Sequence, residues 1–292
     1  MKITNELNLP QPFVDAVSRD YQYKPKRYSA TSLLKGVREA ILQRRHADEI
    51  ESDVADMVWM IFGTAVHGVL EDAQETDTQL KENKLEVVMP NGYTLSGIFD
   101  LYDDSTGTVT DYKTASVWKV VYDEWDDYRR QLLIYTWMLR QLGFDAHTGE
   151  IVALLKDHSK SKAKHEAGYP PHPVIIKRWE FTEMELDEIG GWLEDRFRMI
   201  EEAEGMADDT LPLCTAEERW AKPTKWAVIK KGNKRASKLF DLEEDAEKHA
   251  EILTERDGKP YLVEKRQGVD GKCSEYCSAR EFCSYWRDTY AD

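Results

Sequence analysis

The stretch Gly97-Ile98-Phe99-Asp100-Leu101-Tyr102-Asp103-Asp104-Ser105-Thr106-Gly107-Thr108-Val109-Thr110-Asp111-Tyr112-Lys113 decides how this chain reads. Apolar and polar residues alternate on either side of residues 103–107, whose Asp, Ser and Gly content marks a turn. Upstream, Leu85-Glu86-Val87-Val88 leads through Pro90-Asn91-Gly92 into residues 93–102. The pattern predicts an antiparallel meander, with Asp100 ending one strand and Asp111 at the end of the next. Adjacent strands of that kind present both carboxylates to one point. Lys113 follows Asp111 by two residues, so on a strand its side chain leaves from the same face.

Working outward, Ser29 or Thr31 can cap a helix carrying Leu33, Leu34, Val37, Ile41 and Leu42. A second helix is expected over 52–74, with Gly63-Thr64-Ala65-Val66-His67 inside it. Downstream come a helix at 126–142 stopped by Gly143, a buried strand at 151–155, a Lys- and His-rich loop at 156–173 and a strand at 174–180. A long acidic amphipathic helix covers 183–204. The pattern then changes to a strand at 226–230, a helix at 242–254 and a strand at 261–265. Residues 1–28 lack clear periodicity, and Tyr21-Gln22-Tyr23-Lys24-Pro25-Lys26-Arg27-Tyr28 reads as an aromatic and basic arm.

The chemistry these residues suggest is metal-assisted. Hydrolysis of a phosphodiester at a divalent cation needs hard oxygen ligands plus a positive group near the attacking water or the developing charge. Asp100 and Asp111 supply the first, Lys113 the second. His67, arriving from the preceding helix, would complete the ligand set and shift preference from Mg2+ toward tolerance of Mn2+. Glu71 shares the His67 helix face and reads equally as a supporting ligand or an ordinary surface glutamate.

Composition sets limits. The length of 292 residues allows a core domain with an appended unit. A formal charge of -15 argues against a general nucleic-acid-coating protein, although carboxylates that hold metal count toward that total. Residues 222–238 run against the trend, with seven Lys and Arg and no acid. Without a membrane-length apolar run or a secretory leader pattern, a soluble cytoplasmic protein is expected, in the host cytoplasm if the source is viral.

The ordered set G-x-x-x-H at 63–67, G-x-x-D at 97–100, D-x-K at 111–113 and Q-x-x-x-Y at 131–135 resembles the PD-(D/E)XK nuclease superfamily. More narrowly it is similar to its RecB-like exonuclease group, which includes phage-encoded exonucleases and the RecB-like nucleases of CRISPR adaptation. The resemblance implies an α/β fold: a restriction-endonuclease-like core, its central mixed sheet flanked by helices, with a cysteine-stapled C-terminal subdomain. It implies that His67, Asp100, Asp111 and the main-chain carbonyl of Tyr112 bind Mg2+ or Mn2+, that Lys113 is catalytic, and that Gln131 and Tyr135 lie beside the active site. The expected activity is metal-dependent exonucleolytic cleavage of DNA in recombination, repair or replication. An endonuclease or end-trimming factor of the CRISPR-adaptation type stays open, as does a non-catalytic DNA-binding adaptor for a recombinase. The expected division is an N-terminal arm at 1–28, the nuclease core at 29–210 and the C-terminal subdomain at 211–292.

Four cysteines, Cys214, Cys273, Cys277 and Cys283, all fall after the midpoint and fit a tetrathiolate site. The one-plus-three arrangement is similar to the iron-sulfur staple of relatives in this group, so a [4Fe-4S] cluster is expected, with zinc or free structural thiols as alternatives. It departs from those relatives in a first gap of three residues and in the position of Cys214 after the nuclease motifs. Lys225, Lys230, Lys231, Lys234 and Arg235, interleaved with Trp220 and Trp226, suit DNA ends or single strands; the plain alternative is a solvated face over core tryptophans. A recombinase, single-strand-binding protein or helicase is a candidate partner; a membrane is not.

Overall fold

The computed structural model describes residues 1–18, 23–74 and 76–291; Tyr21 and Gln22 of the arm lie outside them. The chain forms two compact units, 1–211 and 212–292.

The first unit opens with β1 (Lys2–Thr4) and α1 (Gln11–Val17), so the stretch read as an arm carries regular structure. β2 (Arg27–Ser29) follows, then α2 (Ala30–Leu33), capped by the Ser29 hydroxyl. The single helix expected here is two, because the chain turns at Lys35-Gly36, and Gly36 caps α3 (Val37–Arg45) from an extended conformation. β3 (Glu51–Asp53) pairs in parallel with β1, which confines the next helix, α4, to Val58–Glu71.

After β4 (Gln79–Lys81) and β5 (Lys84–Val88), the expected meander breaks. β6 (Thr94–Ile98) pairs with β5 and β2, whereas β7 (Leu101–Asp103) pairs with β4 and β8 (Thr108–Ala115). The strand predicted over 93–102 is therefore divided at Phe99-Asp100 between two sheets. Burial drives the break: Phe99 and Tyr102 are both fully enclosed, and turning the chain between them seats both rings in the core. Asp111 correspondingly lies within β8 and not at its end.

α5 (Val117–Val121) and α6 (Asp126–Gln141) follow, and Gly143 takes a left-handed φ of +92° where α6 stops. β9 (Thr148–Leu155) runs parallel to β8. The loop expected over 156–173 contains the short helix α7 (Lys160–His165). β10 (Val174–Glu180) returns antiparallel to β9. α8 (Glu183–Glu204) begins at a Thr182/Glu185 capping box, an arrangement worth roughly 1 kcal/mol. The main sheet thus has the mixed order β10-β9-β8-β7-β4, with α6 packed on β8 and β9 and α8 packed on α6. Leu132, Ile134, Met138 and Leu139 of α6 and Leu193 and Phe197 of α8 are fully buried between them.

The second unit starts with β11 (Ala221–Lys222), β12 (Lys225–Lys230) and β13 (Lys238–Phe240). α9 (Glu243–Asp257) then packs on the antiparallel sheet that β12 forms with β13 and β14 (Tyr261–Arg266). Its core is Val228, Ala246, Ala250 and Leu253, with Trp226 and Phe240 against it. β15 (Val269–Asp270) pairs with β11, and the cysteine-bearing turns lead into α10 (Ser284–Tyr290). Among the described residues no helix is long and apolar enough to cross a membrane.

Candidate active site

β8 is flanked on both sides only as far as Thr110. β7 pairs with residues 108–110 and then leaves, while β9 accompanies β8 to Ala115. Beyond Thr110 one edge of β8 has lost its strand partner, and a side chain takes up the first free donor. The Tyr112 amide donates to Asp100 Oδ2 at 2.5 Å.

The alternation of β8 then sorts the site onto two faces. Thr114 lies on the face that meets α4, where a Cβ on Gly63 would sit 3.7 Å from its hydroxyl. Tyr112 shares that face, its ring edge-on to His67 at 6.3 Å between centroids. Asp111 and Lys113 leave the opposite face, toward α6. Gln131 Nε2 donates to Asp111 Oδ1 at 3.2 Å and lies 3.2 Å from the Tyr135 hydroxyl. Gly97 makes this approach of α6 possible, since a Cβ there would come within 2.7 Å of the Tyr135 ring. The glycine of the G-x-x-D motif is thus a steric requirement of the tyrosine of the Q-x-x-x-Y motif.

His67 Nδ1 lies 3.2 Å from Asp100 Oδ1 and 4.0 Å from Glu82 Oε1. His67, Glu82 and Asp100 each bring one ligand atom within 4.8 Å of the others, and no cysteine belongs to this group. Glu82 escaped the sequence reading because no motif marks it. It sits between β4 and β5 at a left-handed φ of 50°, its amide hydrogen-bonded to the Asp100 carbonyl at 3.2 Å. Glu71, which the sequence did single out, is exposed and touches the site through its charge on Glu82.

The electrostatics follow from crowding carboxylates in a poorly hydrated place. Burial first, and then the neighbouring Asp100 charge, push Asp111 up to about 6, against the pull of Lys113. Asp111 is only 2 % exposed; its Oδ2 makes no well-aligned hydrogen bond and has the Lys113 ammonium 2.5 Å away. Burial, with Asp100 and Glu71, likewise raises Glu82. The hydrogen bond to Asp100 raises His67 against the opposing effect of burial. Excess negative charge and mixed oxygen and nitrogen donors fit a divalent cation.

The profile of the PD-(D/E)XK nuclease superfamily matches residues 19–284. The chain belongs to this superfamily. Its fold is the superfamily's, a mixed sheet flanked by helices. No curated protein matches the chain in sequence. Among solved structures it is similar to SSO0001, with 16% identity and a TM-score of 0.46 over 65% of this chain and 83% of that one. It is similar to a phage related exonuclease from Haemophilus somnus 129PT, with 12% identity and a TM-score of 0.35 over 62% of this chain and 97% of that one. A third is the alkaline exonuclease LHK-Exo from Laribacter hongkongensis, with 12% identity and a TM-score of 0.33 over 61% and 92%.

The remaining candidates lie in the second unit. None of the four cysteines is in a disulfide. Burial first, then Asp270 and more weakly Cys214 and Cys283, push the Cys273 thiol up to about 11; among the described residues the cysteines do not bring three ligand atoms within 4.8 Å of one another. Arg219 ties the two ends of this unit together, donating to the Cys214 carbonyl and pairing with Asp270 at 3.1 Å. Of the basic candidates, Lys225 pairs with Asp241 and Lys230 lies 3.4 Å from Asp257, while Lys231, Lys234 and Arg235 are exposed between β12 and β13. Trp226, expected as a stacking ring, packs on the hydrophobic core; Trp220 is exposed beside Tyr276.

Proposed function

We propose that this protein is a Mg2+- or Mn2+-dependent deoxyribonuclease that degrades DNA from its ends, serving recombination, repair or replication. The observation that carries it is the placement of the Gln131-held Asp111/Lys113 pair beside the His67, Glu82 and Asp100 group. His67, Glu82, Asp100, Asp111 and the Tyr112 carbonyl would hold the cation. Bound there, a divalent cation supplies Lewis-acid stabilisation of phosphoryl charge and lowers the pKa of water. Lys113, anchored by Asp111, positions a positive charge at the reacting phosphate and can orient the attacking water. Gln131 fixes which Asp111 oxygen faces Lys113, and the buried Tyr135 excludes water from behind the pair.

The direction toward ends is supported by the RecB-like combination of His67 with the Gln131/Tyr135 helix. A cavity of about 460 Å³ is lined by Lys24, Arg27, Lys84 and Tyr135; with Arg27 and Lys84 paired to Glu86, Lys24 is the cation it would present to a phosphate backbone. In the second unit, the one-plus-three spacing of Cys214, Cys273, Cys277 and Cys283 is the basis for a [4Fe-4S] cluster, zinc being the alternative. The exposed Lys231, Lys234 and Arg235 are the DNA contacts proposed there.

End-labelled linear DNA and covalently closed circles of the same strandedness, incubated with Mg2+, Mn2+ or EDTA, test the reading. Metal-dependent loss of linear DNA alone is expected. Equal cleavage of circles would assign an endonuclease, and inertness under every metal would leave a binding protein.

A further inference from the structure

α4 is strongly apolar, yet none of its residues is fully buried. Trp59 is 58 % exposed and Phe62, edge-on to it, 41 %. A second aromatic pair stands on α5: Trp118 and Tyr122, 47 % and 64 % exposed, stack with ring centroids 5.7 Å apart and planes 21° apart. Four large rings left in solvent are costly for a monomer unless something else covers them.

Two lysines lie against the rings. Lys156 Nζ lies over the Trp59 ring at 4.0 Å, and Lys162 Nζ over Trp118 at 6.0 Å. The segment bearing both lysines is pinned to the start of α5, with the Lys156 amide on the Ala115 carbonyl and Asp157 accepting from Ser116 and Val117. The surface is also continuous with the candidate active site. α4 meets β8 at Gly63 and Thr114, and α5 follows β8 directly after Ala115. Tyr128 has Lys113 over its ring at 5.4 Å and Lys119 at 4.0 Å, so one ring joins the site lysine to α5.

We propose that this surface, built from Trp59, Phe62, Trp118 and Tyr122 with Lys156 and Lys162, is a binding site for single-stranded DNA that leads a strand to the active site. It rests on the nuclease reading only for what the strand is delivered to. Rings accept unpaired bases of any sequence by stacking, and ammonium groups spaced among them pair with the connecting phosphates. Duplex DNA, its bases already stacked on one another, has no face to offer the rings. The exposed Asp123, Glu124, Asp126 and Asp127 follow Tyr122 along the chain, so a strand is held at the lysine side, where flat apolar bases meet the rings and phosphates meet Lys156 and Lys162.

The test is binding of a short single-stranded deoxyoligonucleotide and of a flush duplex, both in EDTA, to wild type, Trp59→Ala, Trp118→Ala and Trp118→Phe. Each alanine variant is expected to weaken single-strand binding about tenfold, with duplex binding nearly unchanged and Trp118→Phe close to wild type. In the Lys156→Gln/Lys162→Gln variant the salt dependence of single-strand binding should flatten by roughly 0.7 per lysine. That readout holds even if a tryptophan variant fails to fold. Hydrolysis of bis-p-nitrophenyl phosphate with Mn2+ is measured alongside. If wild type fails to hydrolyse it, the nuclease reading falls and the binding result stands separately. Unchanged single-strand affinity in both alanine variants, or equal loss for duplex, overturns the proposal. A wild-type dimer that the alanine variants turn into monomer, with DNA affinity intact, would make this face a self-association surface.

Discussion

Gln131 Nε2 stands 3.2 Å from both Asp111 Oδ1 and Tyr135 OH, so one amide joins the helix behind the sheet to the buried carboxylate of β8. Removing it leaves Asp111 free to rotate away from Lys113. Gln131→Ala is expected to cut the rate of DNA cleavage by about 10–100-fold, the usual cost of losing a group that orients a ligand. Steady-state cleavage of end-labelled DNA measures this. A rate equal to wild type would detach α6 from the chemistry.

Asp111 illustrates a conflict between stability and use. Burial raises it, so the folded apo-protein prefers the neutral acid and is penalised as pH rises from the ordinary aspartate value of 3.8 toward about 6. Asp111→Asn removes the penalty together with a proposed metal ligand. In EDTA at pH 7 this variant should melt about 2–4 °C higher than wild type and cleave no DNA. A lower Tm would show that the ion pair with Lys113 outweighs the burial of the charge.

His46 controls a separate pH response through Glu49 and Asp208, neither of them among the proposed metal ligands. Its ring lies 2.7 Å from Glu49 and 2.7 Å from Asp208, the latter between α8 and the end of the unit. Burial opposes protonation, but these hydrogen bonds prevail and raise it above 6.5; the same contact, with Arg45, lowers Asp208 against the effect of burial. The histidine's contribution is therefore complete below pH 6.5 and is lost as pH rises through its folded value. Asp208 contributes above the ordinary aspartate value and loses that contribution only in stronger acid. Thermal melts should fall from pH 6 to pH 8 in wild type and less steeply in His46→Gln. Parallel slopes would count against the assignment.

The cysteines make a prediction about composition. Protein purified without oxygen should contain iron and labile sulfide, with a broad absorbance characteristic of thiolate-ligated clusters. Cys277→Ser should then destabilise residues 212–292 more than 1–211, as read by limited proteolysis. Zinc without iron, in cells supplied with iron, would retain the tetrathiolate site and reject the cluster.

The elements most legible in the sequence were those governed by local rules. The apolar period over 183–204 marks the extent of α8, and β10 covers the expected 174–180. Residues 93–102 looked like one strand because Phe99 and Tyr102 are good strand formers; the division at Asp100 depends on where both rings find a core, which no local pattern contains. Glu82 was invisible for a related reason. It reaches His67 and Asp100 from a left-handed position in a connection, where neither period nor motif points to it. By contrast, His67, Asp100, Asp111, Lys113, Gln131 and Tyr135 were singled out together by order along the chain, and the structure brings His67 to Asp100, Lys113 to Asp111 and Gln131 to both Asp111 and Tyr135. Trp226 shows the limit of composition, since a ring among lysines looks the same in sequence whether it faces DNA or a hydrophobic core.

The early departure of β7 from β8 carries a consequence beyond chemistry. A strand edge stripped of its neighbour invites strand addition from another chain, the first step toward aggregation. Here the Asp100 carboxylate occupies the Tyr112 amide and places a negative charge where an incoming backbone would dock. Asp100 thereby closes an edge as well as facing the site, and an Asp100→Ala variant is expected to be more prone to aggregation than wild type, a change that light scattering at equal concentration would register.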